Sequence, residues 1–294
     1  MVLLSFRKGF SIANKSLLLI LAIGFLGVAY NLAVSPITTP IQQALAPYQG
    51  QNPKPMEWSV IRPILPQILF MVVIGFLVST LFQAGLWGYV AQKVKTNQGA
   101  IPDFFKLGVR FFVPMAFLIL LGLGFGFLVI LASVVPMVLA GLLAALTKSI
   151  PAVPQILILV GVLGMAAALI FALYLSLLYF GMATPGIVAA DKKVLDSLKE
   201  SKSFIKAGRF WPFVGLTALY TLVAIAVYLL SVFTAVLSGL AGPVAIAGGA
   251  IKPAQIVAGA VFGILFLYFD VAVKAGFVNY YLSANNNTSV ASST

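Results

Sequence analysis

The sequence predicts an all-α polytopic membrane protein, with six transmembrane helices and amphipathic interfacial helices on the cytoplasmic face. Three observations predict it. Of the 294 residues, 62% are hydrophobic and only 8% are charged, where a soluble domain carries about 25% charged residues. Six apolar runs are long enough to cross about 30 Å of hydrocarbon. The lysines and arginines also collect on one of the two faces that those crossings define.

The same composition excludes whole classes of chemistry. Cysteine and histidine are both absent. Disulfides, thiol nucleophiles, histidine-ligated metals and histidine acid–base catalysis are therefore ruled out. Six acidic residues in the whole chain leave little for a carboxylate metal site. No cofactor, metal or catalytic residue is expected. The net charge of +12 is concentrated where one membrane face would be. That fits anionic lipid headgroups as partners, and not nucleic acid.

Taken in order, Met1–Lys15 is basic and aromatic, with Phe6, Arg7, Lys8, Phe10 and Lys15. Ser16–Ser35 is the first crossing. A signal peptide cut after Ala33-Val34-Ser35 is the other reading, but the run exceeds a signal core and Pro36 would follow the cut. An uncleaved helix is expected. Pro36–Arg62, with prolines at 36, 40, 47, 53 and 55, is expected to end that helix and to contain a short surface helix at Ile41–Tyr48. Pro63–Gln92 is the second crossing, with Trp87 and Tyr89 near the interface. A polar connector, Lys93–Arg110, leads to the third crossing, Phe111–Val135. Met137–Leu146 is too short to span, so 137–150 is expected to be a surface or re-entrant segment. Gln155–Ala183 is the fourth crossing and Trp211–Leu237 the fifth. A Gly/Ala-rich turn, Gly239–Pro253, precedes the sixth, Ala254–Leu282. Residues 1–283 thus read as one membrane domain, and the polar 284–294 as a disordered tail.

Asp191–Phe213 is the one long charged segment. On a helix, Val194, Leu195, Leu198, Ser201 and Ile205 share a face, and Lys192, Lys193, Lys199, Lys202 and Lys206 cover most of the rest. An apolar stripe opposite lysines lies flat in a headgroup layer; a solvated connector is the other reading. Six crossings put both termini on one side. Arg7, Lys8, Lys15, Lys93, Lys95, Lys106, Arg110, Lys192, Lys193, Lys199, Lys202, Lys206 and Arg209 fall on that side, and Lys54, Arg62, Lys148 and Lys252 opposite. The positive-inside rule makes the shared side cytoplasmic.

A repeat accompanies this plan. Phe104-Phe105-Lys106-Leu107-Gly108-Val109-Arg110-Phe111-Phe112 aligns with Phe204-Ile205-Lys206-Ala207-Gly208-Arg209-Phe210-Trp211 with one gap, and Phe6-Arg7-Lys8-Gly9-Phe10 is a weaker copy. Each opens an outward crossing, which suggests a threefold hairpin repeat of constant orientation. Lys106, Arg110, Lys199, Lys202, Lys206, Arg209 and Trp211 are the candidate interfacial residues.

Inside the crossings, Asp270 and Lys274 lie four residues apart on one helix and can pair. A lone charge there costs about 2.5–3.5 kcal/mol. The pair reads as a structural lock; the other reading is a proton or ion site. Gly259 and Gly263 form a GxxxG that lets helices approach closely. Gly122, Gly124, Gly126, Gly161 and Gly164 are further candidates for close packing.

Ser201 with Lys206-Ala207-Gly208-Arg209-Phe210-Trp211 resembles the cytoplasmic motif of the glycerophosphoryl diester phosphodiesterase membrane-domain family. Leu267-Tyr268-Phe269-Asp270, with Lys274 and Gly276-Phe277, resembles that family's closing motif. This chain has Ala272 and Ala275 where the family carries an arginine and an acidic residue. The resemblance implies a polytopic membrane fold and little about activity. Some relatives carry a phosphodiesterase domain, which this sequence lacks. The expected function is a non-enzymatic membrane scaffold or accessory protein, packing with lipid, another membrane protein or itself. The alternative is a transporter or channel for a small or lipophilic solute, which calls for a polar mid-depth path.

Overall fold

The computed structural model describes residues 1–48, 58–147, 152–237 and 253–291, side chains at 230–260 and 286–291 excepted. The described residues form α-helices and no strand: α1 (Val2–Asn14), α2 (Leu17–Leu45), α3 (Trp58–Thr96), α4 (Ile101–Leu146), α5 (Val153–Phe180), α6 (Ala183–Ala190), α7 (Val194–Phe204), α8 (Phe210–Leu237) and α9 (Pro253–Ala291). Six of the helical segments described are long and apolar enough to cross a membrane. The fold is all-α and polytopic. In hydrocarbon no water serves the backbone, so a spanning segment must satisfy its own N–H and C=O groups, as a helix does.

The chain packs as two compact units. The first comprises Met1–Val109 and Pro212–Thr294, the second Arg110–Trp211.

Helix ends depart from expectation at the prolines. α2 runs through Pro36 and Pro40 to Leu45, followed by a 3₁₀ turn at Ala46–Tyr48. Ile41–Leu45 is therefore its last part and not a separate surface helix. Pro36 has no N–H for the Leu32 carbonyl, and the Ser35 hydroxyl donates to that oxygen instead at 2.9 Å. A hydroxyl placed this way re-satisfies the group a proline frees. Thr39 also donates to the Ser35 carbonyl at 2.8 Å.

The segment expected to be superficial or re-entrant at 137–146 is the continuation of α4 through Pro136. α4 also absorbs the second half of the expected connector, so Lys106 and Arg110 sit on its first turns. At a rise of 1.5 Å per residue it is about 69 Å long, more than twice the thickness of the hydrocarbon. The Pro136 turn is held by packing. A Cβ on Gly164 of α5 would lie 3.0 Å from the Pro136 Cβ, and one on Gly161 would lie 3.3 Å from its carbonyl oxygen.

The expected disordered tail begins instead as helix. α9 continues to Ala291, and Ala284 is buried at 2% exposure, so the helix is still packed where the polar tail starts. Residues 292–294 and the turn expected at 239–252 lie outside the described residues.

The charged segment is also divided. α6 ends at Asp191 in the left-handed region, φ 55°, and α7 is shorter than the expected helix. Its buried face is Val194, Ser197, Ser201 and Phe204, with Ile205 just beyond its end. Of the apolar stripe read from the sequence, Val194, Ser201 and Ile205 are buried, Leu198 is half-buried and Leu195 is 58% exposed. The cause is what α7 rests on. The Ser201 hydroxyl accepts from the Met182 N–H at 3.0 Å and donates to the Leu178 carbonyl at 3.0 Å. Ser197 sits against Gly186, whose Cβ position is 3.2 Å from the Ser197 Oγ. Small hydroxyl residues let α7 approach the end of α5 and α6 closely, which turns Leu195 outward.

Candidate functional site

In the first unit, α1 lies antiparallel along α9. Asn279 donates to the Ser5 hydroxyl at 3.0 Å, Gly9 abuts the Ala272 carbonyl and Gly276, and Tyr268 donates to Asn14 at 2.7 Å. The basic N-terminus therefore turns Ser5, Gly9, Ile12 and Ala13 inward and leaves Arg7 and Lys8 outside. Asp270 and Lys274 sit on the same α9 and form an ion pair. The Lys274 side chain is 5% exposed and that of Asp270 37%. The Lys274 ammonium also lies 5.4 Å from the centre of the Trp87 ring on α3, within cation–π range. Val271 and Val278, three residues before and four after Lys274, have no exposed surface.

Beside this pair is a packing centre that sequence reasoning missed. Tyr220 of α8 is 3% exposed and donates to the Ala272 carbonyl at 2.9 Å. Its ring is caged by Phe6, Phe10, Phe269 and Phe277. Its oxygen occupies the space where a side chain on Gly9 or Gly276 would stand. The available signal was weak, since α8 also carries Thr217, Thr221 and Tyr228; Gly276 with the neighbouring Ala272 and Ala275 was the clearer one.

The glycines named from the sequence contribute unequally. Nothing lies within 4 Å of a Cβ built on Gly263, Gly124 or Gly126, and Gly122 meets only the Phe180 ring at 3.9 Å. Gly263 therefore marks no close helix approach among the described residues; the side-chain surroundings of Gly259 lie outside them. Close approach occurs at Gly161 and Gly164, described above, and at Gly85 with Gly108, where a Cβ on Gly108 would lie 3.1 Å from the Leu81 carbonyl oxygen.

The interfacial residues divide between pairing and exposure. Lys106 is exposed. Arg110 pairs with Asp191 at 2.6 Å, with both side chains more than half exposed, so the pair contributes little to stability. Lys192 pairs with Glu200 at 2.7 Å. Lys202 donates to the Tyr179 hydroxyl at 2.9 Å. Arg209 stacks 4.5 Å over Phe204. Lys199, Lys206 and Trp211 are exposed, Trp211 at 75%.

The two aligned copies of the repeat have different backbones. Phe104–Phe111 is uninterrupted helix within α4. Its counterpart bends between α7 and α8, with Gly208 at φ +78°. Gly108 is needed for close approach, whereas Gly208 is needed for its left-handed conformation. No family model, curated protein or solved structure matches the chain.

Proposed function

We propose that this protein is a non-enzymatic integral membrane scaffold or accessory protein, packed with lipid or another membrane protein, with both termini and its basic face cytoplasmic. The resemblance to the glycerophosphoryl diester phosphodiesterase membrane-domain family belongs to this proposal, since Phe269 and Gly276 of its closing motif lie at the α1–α9 seam. The observation that carries the reading is the packing around the intramembrane charges. Lys274 is paired, capped by an aromatic ring and flanked by fully buried Val271 and Val278. A group that relays a solute or proton needs access to water, and this one has little. Two contacts support the orientation. Lys15 donates to Asn97 at 3.0 Å in the first unit, and Arg110 meets Asp191 in the second. Each joins segments that the charge pattern assigns to one face.

The absence of native cysteine gives a direct test. Val271→Cys and Val278→Cys change side-chain volume little. In proteoliposomes, both should resist a membrane-impermeant maleimide added to either side and react after denaturation. Reaction in the native protein would mean a water-filled path at Lys274 and would favour the transporter.

A further inference from the structure

Within the second unit, a cleft of about 390 Å³ opens at the bend between α7 and α8. Tyr174 and Leu178 of α5 form one wall; Ile205, Phe210 and Trp211 form the other, with Lys206 at the rim and Gly208 between. The lining is apolar and aromatic except for one cation. Among the described residues Lys206 has neither an ion pair nor a hydrogen bond, whereas Lys192 and Lys202 nearby are engaged by Glu200 and Tyr179. Gly208 is exposed, with nothing within 4 Å of its Cβ position, so its backbone is open to a ligand. The bend also sits where a charged helix passes into an apolar one, the depth at which headgroup and acyl chain meet.

We propose that this cleft binds one anionic phospholipid, with its phosphate on Lys206 and the first carbons of a chain against Tyr174, Leu178, Phe210 and Trp211. The volume is at the low end for ligand pockets, roughly 300–1,000 Å³, which suits a headgroup and the start of one chain. A free phosphate would leave the aromatic walls unused, so the charge and the lining together select a lipid. This proposal rests on the membrane reading above and names the lipid class that the protein holds.

The test uses the full chain in phosphatidylcholine nanodiscs at high salt, where diffuse surface attraction is screened. Phosphatidylglycerol or phosphatidylcholine brominated at the same chain position is then titrated in. Quenching of Trp211 is read as the difference between each protein and its Trp211→Phe counterpart. Brominated phosphatidylglycerol should quench at lower mole fraction than brominated phosphatidylcholine. Lys206→Gln should weaken that preference roughly tenfold, as the loss of one charge-assisted hydrogen bond to the phosphate would. Lys193→Gln, an exposed lysine of the same charged segment outside the cleft, should leave it unchanged, and added inorganic phosphate should not compete. Equal quenching by both lipids, equal losses in the two lysine variants, or competition by inorganic phosphate would each overturn the lipid site. Absence of quenching by either lipid would instead overturn the placement of Trp211 at the membrane, and with it the membrane reading.

Discussion

Gly276→Ala should be among the most damaging single-methyl changes in this chain, and the reason lies in Tyr220. A Cβ at position 276 would overlap the Tyr220 hydroxyl and lie 2.7 Å from Cζ and 2.9 Å from Cε2. The ring cannot swing away, because Phe6, Phe10, Phe269 and Phe277 surround it. Overpacking of this kind costs about 2 kcal/mol. Tyr220→Phe removes the worst overlap and the hydrogen bond to Ala272, at a cost of about 1 kcal/mol alone. Independent effects would sum to about 3 kcal/mol, but once alanine occupies 276 the hydroxyl is the group in the way. The double variant should therefore stay near about 2 kcal/mol, a coupling within the range seen for touching residues. Thermal midpoints in mild detergent for the four proteins measure it. Additive midpoint losses, or a Gly276→Ala protein as stable as the parent, would refute this packing of α8 on α9.

Asp270→Leu should destabilise more than Lys274→Met, because it strands a buried ammonium while the reverse change leaves a carboxylate that is one-third exposed; Asp270→Asn should fall below both, and the same midpoints rank them. Lys274→Ala should partly mask the Asp270→Asn loss, and full additivity would mean the two are uncoupled. Gly208→Asn should be tolerated and Gly208→Ala should cost about 1 kcal/mol, because asparagine visits the left-handed region more readily. Gly108→Asn should be damaging, since there the obstacle is the Leu81 carbonyl and not φ. Ser201→Ala should cost about 1–3 kcal/mol by leaving the buried Met182 N–H without its partner.

The crossings were legible because hydrocarbon allows few alternatives: long apolar runs must be helices. Their ends were harder to read. Proline reads as a stop in water, yet the Ser35 hydroxyl takes up the carbonyl that Pro36 leaves free, and Gly161 and Gly164 seat the Pro136 turn. The Asp270–Lys274 pair followed from helical spacing alone. Its cover by Trp87 did not, nor did the Tyr220 cage, because both depend on which helices become neighbours. The buried face of α7 was not legible for a related reason. It is selected by close contact through Ser197 and Ser201, and not by the apolar stripe that Leu195 and Leu198 share with Val194. The Gly259–Gly263 spacing matches a packing motif, while the tight glycines at 9, 85, 108 and 276 occur on four different helices, and only Gly9 and Gly108 fall within copies of the repeat.

Topology is the most direct test of the account. Reporters that distinguish the two sides of the membrane, fused singly after Asn52, Ser149, Gly249 and Thr294, count the crossings and orient them together. Six crossings with the basic face inside predict external signals from the first three and a cytoplasmic signal from Thr294. An external signal at Thr294 would contradict both the number of crossings and the cytoplasmic assignment of the basic face.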